Sequence, residues 1–336
     1  MKKAIILILL SLILTGCYNY NEIEKTAIID AISIDYDNDY YLTTFEIIKN
    51  TESDNLKLEA NYVTGSGKNI VEAFSNAERK IDTNPFFSHL ELIIVNKEII
   101  TNHFNEITNF ILRNPKINNN IKLVATNSNA KDILTIKKDD AITSNLINQL
   151  IKNNYNSFHI KNTSFDQIVD KAISYGIASP ISLITVNSDN TYQFDGMIVI
   201  DNNIAFNSDE VLLFNILNNN CHNIIFSNNK SSIRINKCQT KINLVKKEIN
   251  IKLNCELSNN INHSKINEDN YKQEITKKLT TFYQKIKENN IDLLGINQKY
   301  YKKNHHKKDY FNDEILRINV DLIVDKYGLI NEDKYE

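Results

Sequence analysis

Apolar and polar positions along this chain fall into blocks whose period alternates between that of a strand and that of a helix. Thr26 to Asp35 is β-branched and mostly apolar, which predicts a buried strand. Asp37-Asn38-Asp39 is turn chemistry, and Tyr40 to Ile48 reads as the returning strand of a hairpin. Residues 51–58 are polar and predict a loop. Ile70, Ala73, Phe74, Ala77 and Ile81 then recur at spacings of three and four, the stripe of an amphipathic helix, with Ser66 placed to cap it. Asp82-Thr83-Asn84-Pro85 stops that helix, and Phe86 to Val95 leads into a second buried strand. A helix over 98–112, the turn Arg113-Asn114-Pro115 and a strand over Ile121 to Thr126 follow. Strands alternating with helices predict an α/β unit whose sheet is at least partly parallel. Residues 129–162 are polar and helical in parts; Ser164 to Tyr175 reads as a helix closed by Gly176, and Ile181 to Val186 as a short strand. Asn187-Ser188-Asp189-Asn190 has the composition of a linker, and a domain boundary is placed there.

The second half opens with Phe194-Asp195-Gly196 and an apolar run to Ile200, then a helix capped by Ser208 that carries Val211, Leu212, Phe214 and Ile216. Thr240, Ile242 and Leu244 alternate on one strand, and Ile249, Ile251 and Leu253 on the next. A turn centred on Lys246-Lys247 would pair 244 with 249, 242 with 251 and 240 with 253, which keeps the apolar set on one face. The same register sets Cys238 opposite Cys255, either as buried thiols or as a disulfide, and leaves Cys221 unbridged. Thiols are favoured, because directly opposed β-carbons lie ~4.5–5.5 Å apart and a disulfide wants ~3.8 Å. From about Asn267 a long amphipathic helix presents Ile275, Leu279, Phe282, Tyr283 and Ile286 to a core. Ile315 to Val324 alternates as a last strand. The fold class expected is therefore α+β or mixed α/β and multidomain: mixed sheets flanked by helices, with an antiparallel hairpin and a long amphipathic helix in the C-terminal part.

The first seventeen residues follow a different pattern. Lys2 and Lys3 precede an apolar run that ends at Leu14-Thr15-Gly16-Cys17. The run is far shorter than the ~20 residues of a membrane span and reads as a secretory signal. Its last four residues resemble the bacterial lipobox, in which the cysteine is acylated and the peptide is cut before it. Cys17 is thus the expected lipidation site. The expected organisation is a lipoprotein signal peptide over 1–16, an N-terminal α/β domain over 17–188 and a C-terminal α+β domain over 189–336. Attachment by acyl chains would hold the mature protein on the outer face of a membrane.

Composition narrows the function classes. Apolar residues make up 42% and charged residues 24% of the chain, with a net charge of −2. No basic excess of the kind a nucleic-acid partner requires is present. Asparagine, at roughly one residue in six, reads as surface filler. Beyond Cys17 the three cysteines lack C-x-x-C spacing, so no metal site and no cofactor is expected. Thr64-Gly65-Ser66-Gly67-Lys68-Asn69 resembles a phosphate-binding loop only superficially: Tyr62 stands where the first glycine belongs, and Asn69 replaces the magnesium-binding hydroxyl. His89, at the mouth of a strand, is expected to be a hydrogen-bonded structural residue. The basic, tyrosine-rich residues 298–310, with His305-His306, suggest a solvated loop or helix end near a membrane surface. No catalytic set emerges, and no catalytic residue is assigned.

Several stretches together carry a resemblance. They are the lipobox with Asn21-Glu22-Ile23-Glu24, the strand Ala27 to Asp35, and Ser88-His89-Leu90 leading into Leu92 to Val95. Arg113-Asn114-Pro115, Ala130-Lys131-Asp132-Ile133-Leu134 and Phe194-Asp195-Gly196 follow in order, then Ile291-Asp292-Leu293-Leu294-Gly295 and Ile318 to Leu322. In this order and spacing the chain resembles the Ger(x)C family of lipoproteins, the C subunits of spore germinant receptors. The resemblance implies a mixed α/β fold and a non-enzymatic, lipid-anchored subunit in the inner spore membrane. It also implies integral-membrane A and B subunits as partners and a role in triggering spore germination. A different class of function, a lipid-anchored solute-binding protein that captures a germinant or other small ligand, would need a deep aromatic-lined pocket. A cell-wall hydrolase would need two carboxylates facing each other across a cleft.

Overall fold

A computed structural model describes residues 26–50, 58–136, 141–153, 160, 164–221, 223–227, 231–259 and 268–327. Cys17 and the signal segment lie outside these residues, as do most of the 51–58 loop and Gly328.

The first hairpin forms as its sequence predicts. Strand β1 (Thr26–Asp37) returns as β2 (Tyr40–Asn50), paired Asp37 to Tyr40 through Asn38 and Asp39, both at positive φ. A third strand, β3 (Leu58–Gly67), continues the antiparallel ribbon. It runs through the residues assigned to the helix cap, so the cap is not Ser66. The side chain of Asn69 instead accepts from the Glu72 amide and starts α1 (Ile70–Glu78). Two glycines of the would-be phosphate loop seat this helix. A β-carbon on Gly65 would stand 2.2 Å from the Ala77 nitrogen, and one on Gly67 2.5 Å from the Ala73 nitrogen.

Beyond a short β4 (Asn84–Phe86) parallel to the start of β1, the chain enters the parallel half of the sheet. Strand β5 (Leu92–Asn96) lies beside β1, and β6 (Lys122–Thr126) beside β5. The helix expected over 98–112 is two helices, α2 (Lys97–Asn102) and α3 (Phe104–Arg113), broken at His103. After β6 come α4 (Ala130–Leu134), α5 (Thr143–Lys152) and α6 (Phe165–Ile173). Then β7 (Pro180–Val186) joins β6 in parallel, and β8 (Tyr192–Val199) and β9 (Ala205–Phe206) close the sheet antiparallel. The spatial order is β3-β2-β1-β5-β6-β7-β8-β9. Asn187 to Asn190 is the turn between β7 and β8, two strands of the same sheet.

Central strands of this sheet are apolar on both faces because helices cover both. Ile93 and Val95 of β5 face α1, α2, α3 and α6, whereas Leu92 and Ile94 face α4 and α5. In β8 the pairing with β7 slips by one residue at Asp195, a bulge that reverses which side chains face which layer. Tyr192 and Phe194 lie in the core under α4 and α5. Past the bulge, Ile198 enters the opposite core, and Met197 and Val199 enter the core of the second sheet. Gly196 at the bulge has φ +135, and a β-carbon there would lie 2.1 Å from the Phe206 carbonyl oxygen.

The second sheet has the order β10 (Ile224–Ser227), β11 (Ser231–Asn243), β12 (Glu248–Asn259), β13 (Arg317–Tyr327), with β13 parallel to β12. Helix α7 (Ser208–Leu217) is capped by Asn207, not Ser208, in a reciprocal pair of bonds with Glu210. The long helix α8 (Glu268–Glu288) buries Ile275, Leu279, Phe282, Tyr283 and Ile286 as its stripe predicts. Helices α9 (Ile296–Asn304) and α10 (Tyr310–Asp313) precede β13.

The predicted register of the β11–β12 hairpin is corrected here by two residues. Ile242 pairs with Ile249 and Thr240 with Ile251, because the turn, Leu244 to Lys247, is centred one residue earlier. The Asn243 side chain accepts from the amides of Val245 and Lys246, and Lys247 takes positive φ. Cys238 therefore faces Leu253, not Cys255, and Cys255 faces Ile235. The disulfide joins Cys221 to Cys238, and Cys255 is a buried thiol outside it.

Candidate functional site

The parallel strands place one crevice where the fold favours a ligand. The chain leaves β5 toward α2 on one face of the sheet and leaves β6 toward α4 on the other. Such a divergence opens a cleft at the carboxyl ends of neighbouring parallel strands. Here the cleft measures about 830 Å³ and is walled by Asn96, Lys97, Glu98, Thr101 and Asn102, by Asn127, Ser128, Asn129 and Asp132, and by Asp201 and Asn203 of the β8–β9 loop.

The end of β1 holds both walls. The Asp35 carboxylate accepts the amides of Ala130 (2.6 Å) and Lys131 (2.9 Å), which fixes the start of α4. At the next residue, the Tyr36 carbonyl accepts from Asn96 Nδ2 at 3.1 Å, and Asn96 Oδ1 caps α2 at the Ile99 amide. The lining is amide and charge: Lys97 against Glu98, Asp132 and Asp201, with five asparagines and no aromatic side chain. Burial pushes the Asp201 carboxyl above its ordinary range. The arrangement suits a small polar solute held by hydrogen bonds, and is unlike the aromatic-lined pocket expected of a solute-binding protein.

Carboxylates brought together elsewhere are occupied by the fold. Glu46 of β2 accepts the amides of Thr143 (2.9 Å) and Ser144 (3.1 Å) at the start of α5, and Tyr62 donates to it at 3.3 Å. Asp30 of β1 accepts from the Ser144 hydroxyl and from His89 Nδ1 at 2.7 Å. Asp30 and Glu46 thus meet at one residue, but both are fully buried, at 1% and 0% exposure, so neither faces a cleft. Burial raises the pKa of Glu46, and the nearby Asp30 charge adds to the rise; the amide bonds oppose it. Asp292 repeats the device at α9, accepting the amides of Ile296 (2.9 Å) and Asn297 (2.7 Å). His89 is hydrogen-bonded, as its position at the strand mouth predicts.

A polar group absent from the sequence reading sits where α2 meets α3. Tyr41 Oη lies 3.0 Å from His103 Nδ1 and also donates to Glu106, while Tyr36 packs on the His103 ring at 3.8 Å. The i,i+3 spacing of His103 and Glu106 was the available signal, but Tyr41 comes from 62 residues away. Among the described residues, no group of three or more His, Cys, Asp or Glu side chains could hold a metal ion. No helix among them is long and apolar enough to cross a membrane.

Comparison with known proteins gives the relationship. A family model described as "Spore germination protein N-terminal domain" matches residues 19–186, and one described as "Spore germination B3/GerAC like, C-terminal" matches 195–328. The chain is 28% identical over 139 residues to Spore germination protein B3 of Bacillus subtilis (strain 168), covering 40% of this chain and 37% of that one. It is 27% identical over 163 residues to Spore germination protein KC of the same organism, covering 44% and 39%. These matches thus span about two-fifths of the length of the curated relatives. A crystal structure of the GerBC protein shares the fold, with a TM-score of 0.53 at 16% identity over 92% of this chain and 100% of that one. Two family models matched in order along the chain, together with a shared fold, place this protein in the Ger(x)C family of spore germination proteins.

Proposed function

We propose that this chain is the lipid-anchored C subunit of a nutrient germinant receptor, a non-enzymatic component that helps trigger spore germination beside integral-membrane A and B subunits. The observation that carries the reading is the ordered match of both family models over residues 19–328. In this reading residues 1–16 are a cleaved signal, Cys17 carries the lipid, and the folded chain after it lies on the outer face of the inner spore membrane, with residues 187–190 a turn inside the first sheet and not a boundary between domains. The buried carboxylates support a non-catalytic role: Asp35, Glu46 and Asp292 each spend their lone pairs on a helix N-terminus. A Cys17→Ala variant tests the reading. The protein should leave the membrane fraction, and nutrient-triggered germination should fall. Unchanged fractionation sinks the anchor, and unchanged germination in a strain dependent on this receptor sinks the role.

A second reading, direct capture of a small polar germinant, rests on the hydrogen-bonding groups of the crevice alone, which lacks the aromatic lining expected for it. A solute that raises the melting temperature of the wild-type chain but not of an Asp201→Ala variant would support it; a panel of polar solutes with no effect would remove it.

A further inference from the structure

We infer that the segment from α9 to α10 is a second membrane contact, a basic face seated on tyrosines that docks onto an anionic lipid surface. Residues 298–310 hold five lysines and one aspartate in a chain whose net charge is −2. Lys302, Lys303 and Lys307 are exposed. The helix ends at His305 in a left-handed conformation, and this turns the chain back. As a result Lys307 lies over the Tyr175 ring at 4.9 Å, and Tyr301, 40% exposed, meets the same ring edge-on at 5.6 Å. Beneath them Tyr300 stacks on Tyr310 at 4.9 Å. The acids alongside are engaged: Asp309 accepts from Asn297 and Asn312, and Asp313 pairs with Lys308 at 3.5 Å.

Position favours lipid over an acidic protein. Gly176 accepts the Gln298 amide and Ala178 donates to the Asp292 carbonyl, so this segment is fastened to the chain just before it enters β7. Because β1 and β7 both run with the parallel set, they enter the sheet from the same edge. Three strand spacings separate their axes, about 15 Å. The described chain starts at Thr26, nine residues after Cys17. Nine residues reach no farther than about 30 Å. An acyl chain on Cys17 would therefore keep this edge within a short tether's reach of the membrane, which lets the lysines meet headgroups with exposed tyrosine at the interface.

The inference rests on the lipid-anchored reading, and its test omits the anchor. The chain from residue 17, carrying Cys17→Ser, is mixed with phosphatidylglycerol-containing vesicles and with pure phosphatidylcholine vesicles. Sedimentation should retain it on the anionic vesicles only, and high salt should release it. A lysine beside an anionic surface contributes about 5-fold in partitioning, so Lys302→Gln with Lys303→Gln should lower binding roughly 30-fold. These side chains are exposed, and an unchanged melting temperature verifies the fold of the variant. Equal retention on both vesicle types, or the same binding by the double variant, overturns the proposal. So does absence of vesicle binding by a chain that still binds an acidic receptor segment through these lysines. The Cys17→Ala fractionation reports on the anchor alone, so the two failures are distinguishable.

Discussion

Replacing Gly65 by alanine tests the account of how α1 sits on the sheet. The new methyl would stand 2.2 Å from the Ala77 nitrogen and 2.3 Å from the Ala73 oxygen. Both are helix backbone atoms, so no rotamer change relieves them. To reach an ordinary 3.4 Å contact the helix must withdraw by roughly 1.2 Å. That withdrawal strips contact from Ile70, Ala73, Phe74 and Ala77, all buried, and opens the aromatic cluster of Phe74 with Phe45, Phe87 and Phe110. Overpacking commonly costs about 1–3 kcal/mol, and a gap of this width forfeits about half of each lining contact. The expected loss is about 3 kcal/mol, or roughly 4 °C in Tm at about 2.1 cal/mol/K of unfolding entropy per residue for a chain of this length. Urea and thermal unfolding followed by circular dichroism would measure it, with Val71→Ala on the exposed side of α1 as the control, expected within about 0.5 kcal/mol. If Gly65→Ala falls within 1 kcal/mol of the wild type, the close seat of helix on strand is refuted.

Two further expectations concern buried groups. Burial raises the folded-state pKa of Asp35 above its ordinary 3.8, so the native state binds the proton more tightly than the unfolded chain. Its contribution to stability is thus greatest below that value and declines as pH rises toward the folded pKa. The stability of the wild type relative to Asp35→Asn should fall over this window; a flat or rising difference contradicts the assignment. For the disulfide, peptide mapping without reduction should join the Cys221 and Cys238 peptides, and Cys238→Ser should lower stability by about 3 kcal/mol for a 17-residue separation. A Cys238–Cys255 peptide would overturn the β11–β12 register.

Much of the fold was legible because its signals are local. The Asp37 to Tyr40 turn, the stripes of α1 and α8, and the apolar strand at Leu92 to Val95 each carry their period within one element. The register of β11 on β12 was not legible. A slip of two residues leaves the same side chains on the same face, so alternation could not separate the two pairings, and the Asn243 bonds that select the turn are invisible to it. Strand β3 escaped because glycines, poor strand formers, fill its end to admit α1. Serine was preferred as a cap at both α1 and α7, where a neighbouring asparagine performs the task equally well. The crevice was hidden for another reason: Asp35, Asn96 and Ala130 are far apart in the chain and meet only through topology.

One extra residue in β8 has a mechanical consequence. Without the bulge at Asp195, Ile198 would share a face with Phe194, and Met197 and Val199 would point away from the second sheet. With it, eight residues supply side chains to all three cores, and Gly196 lets Phe206 close over the kink. The two sheets are therefore joined by packing along one continuous strand, not by a free linker, so removing the bulge would cost burial in all three cores at once.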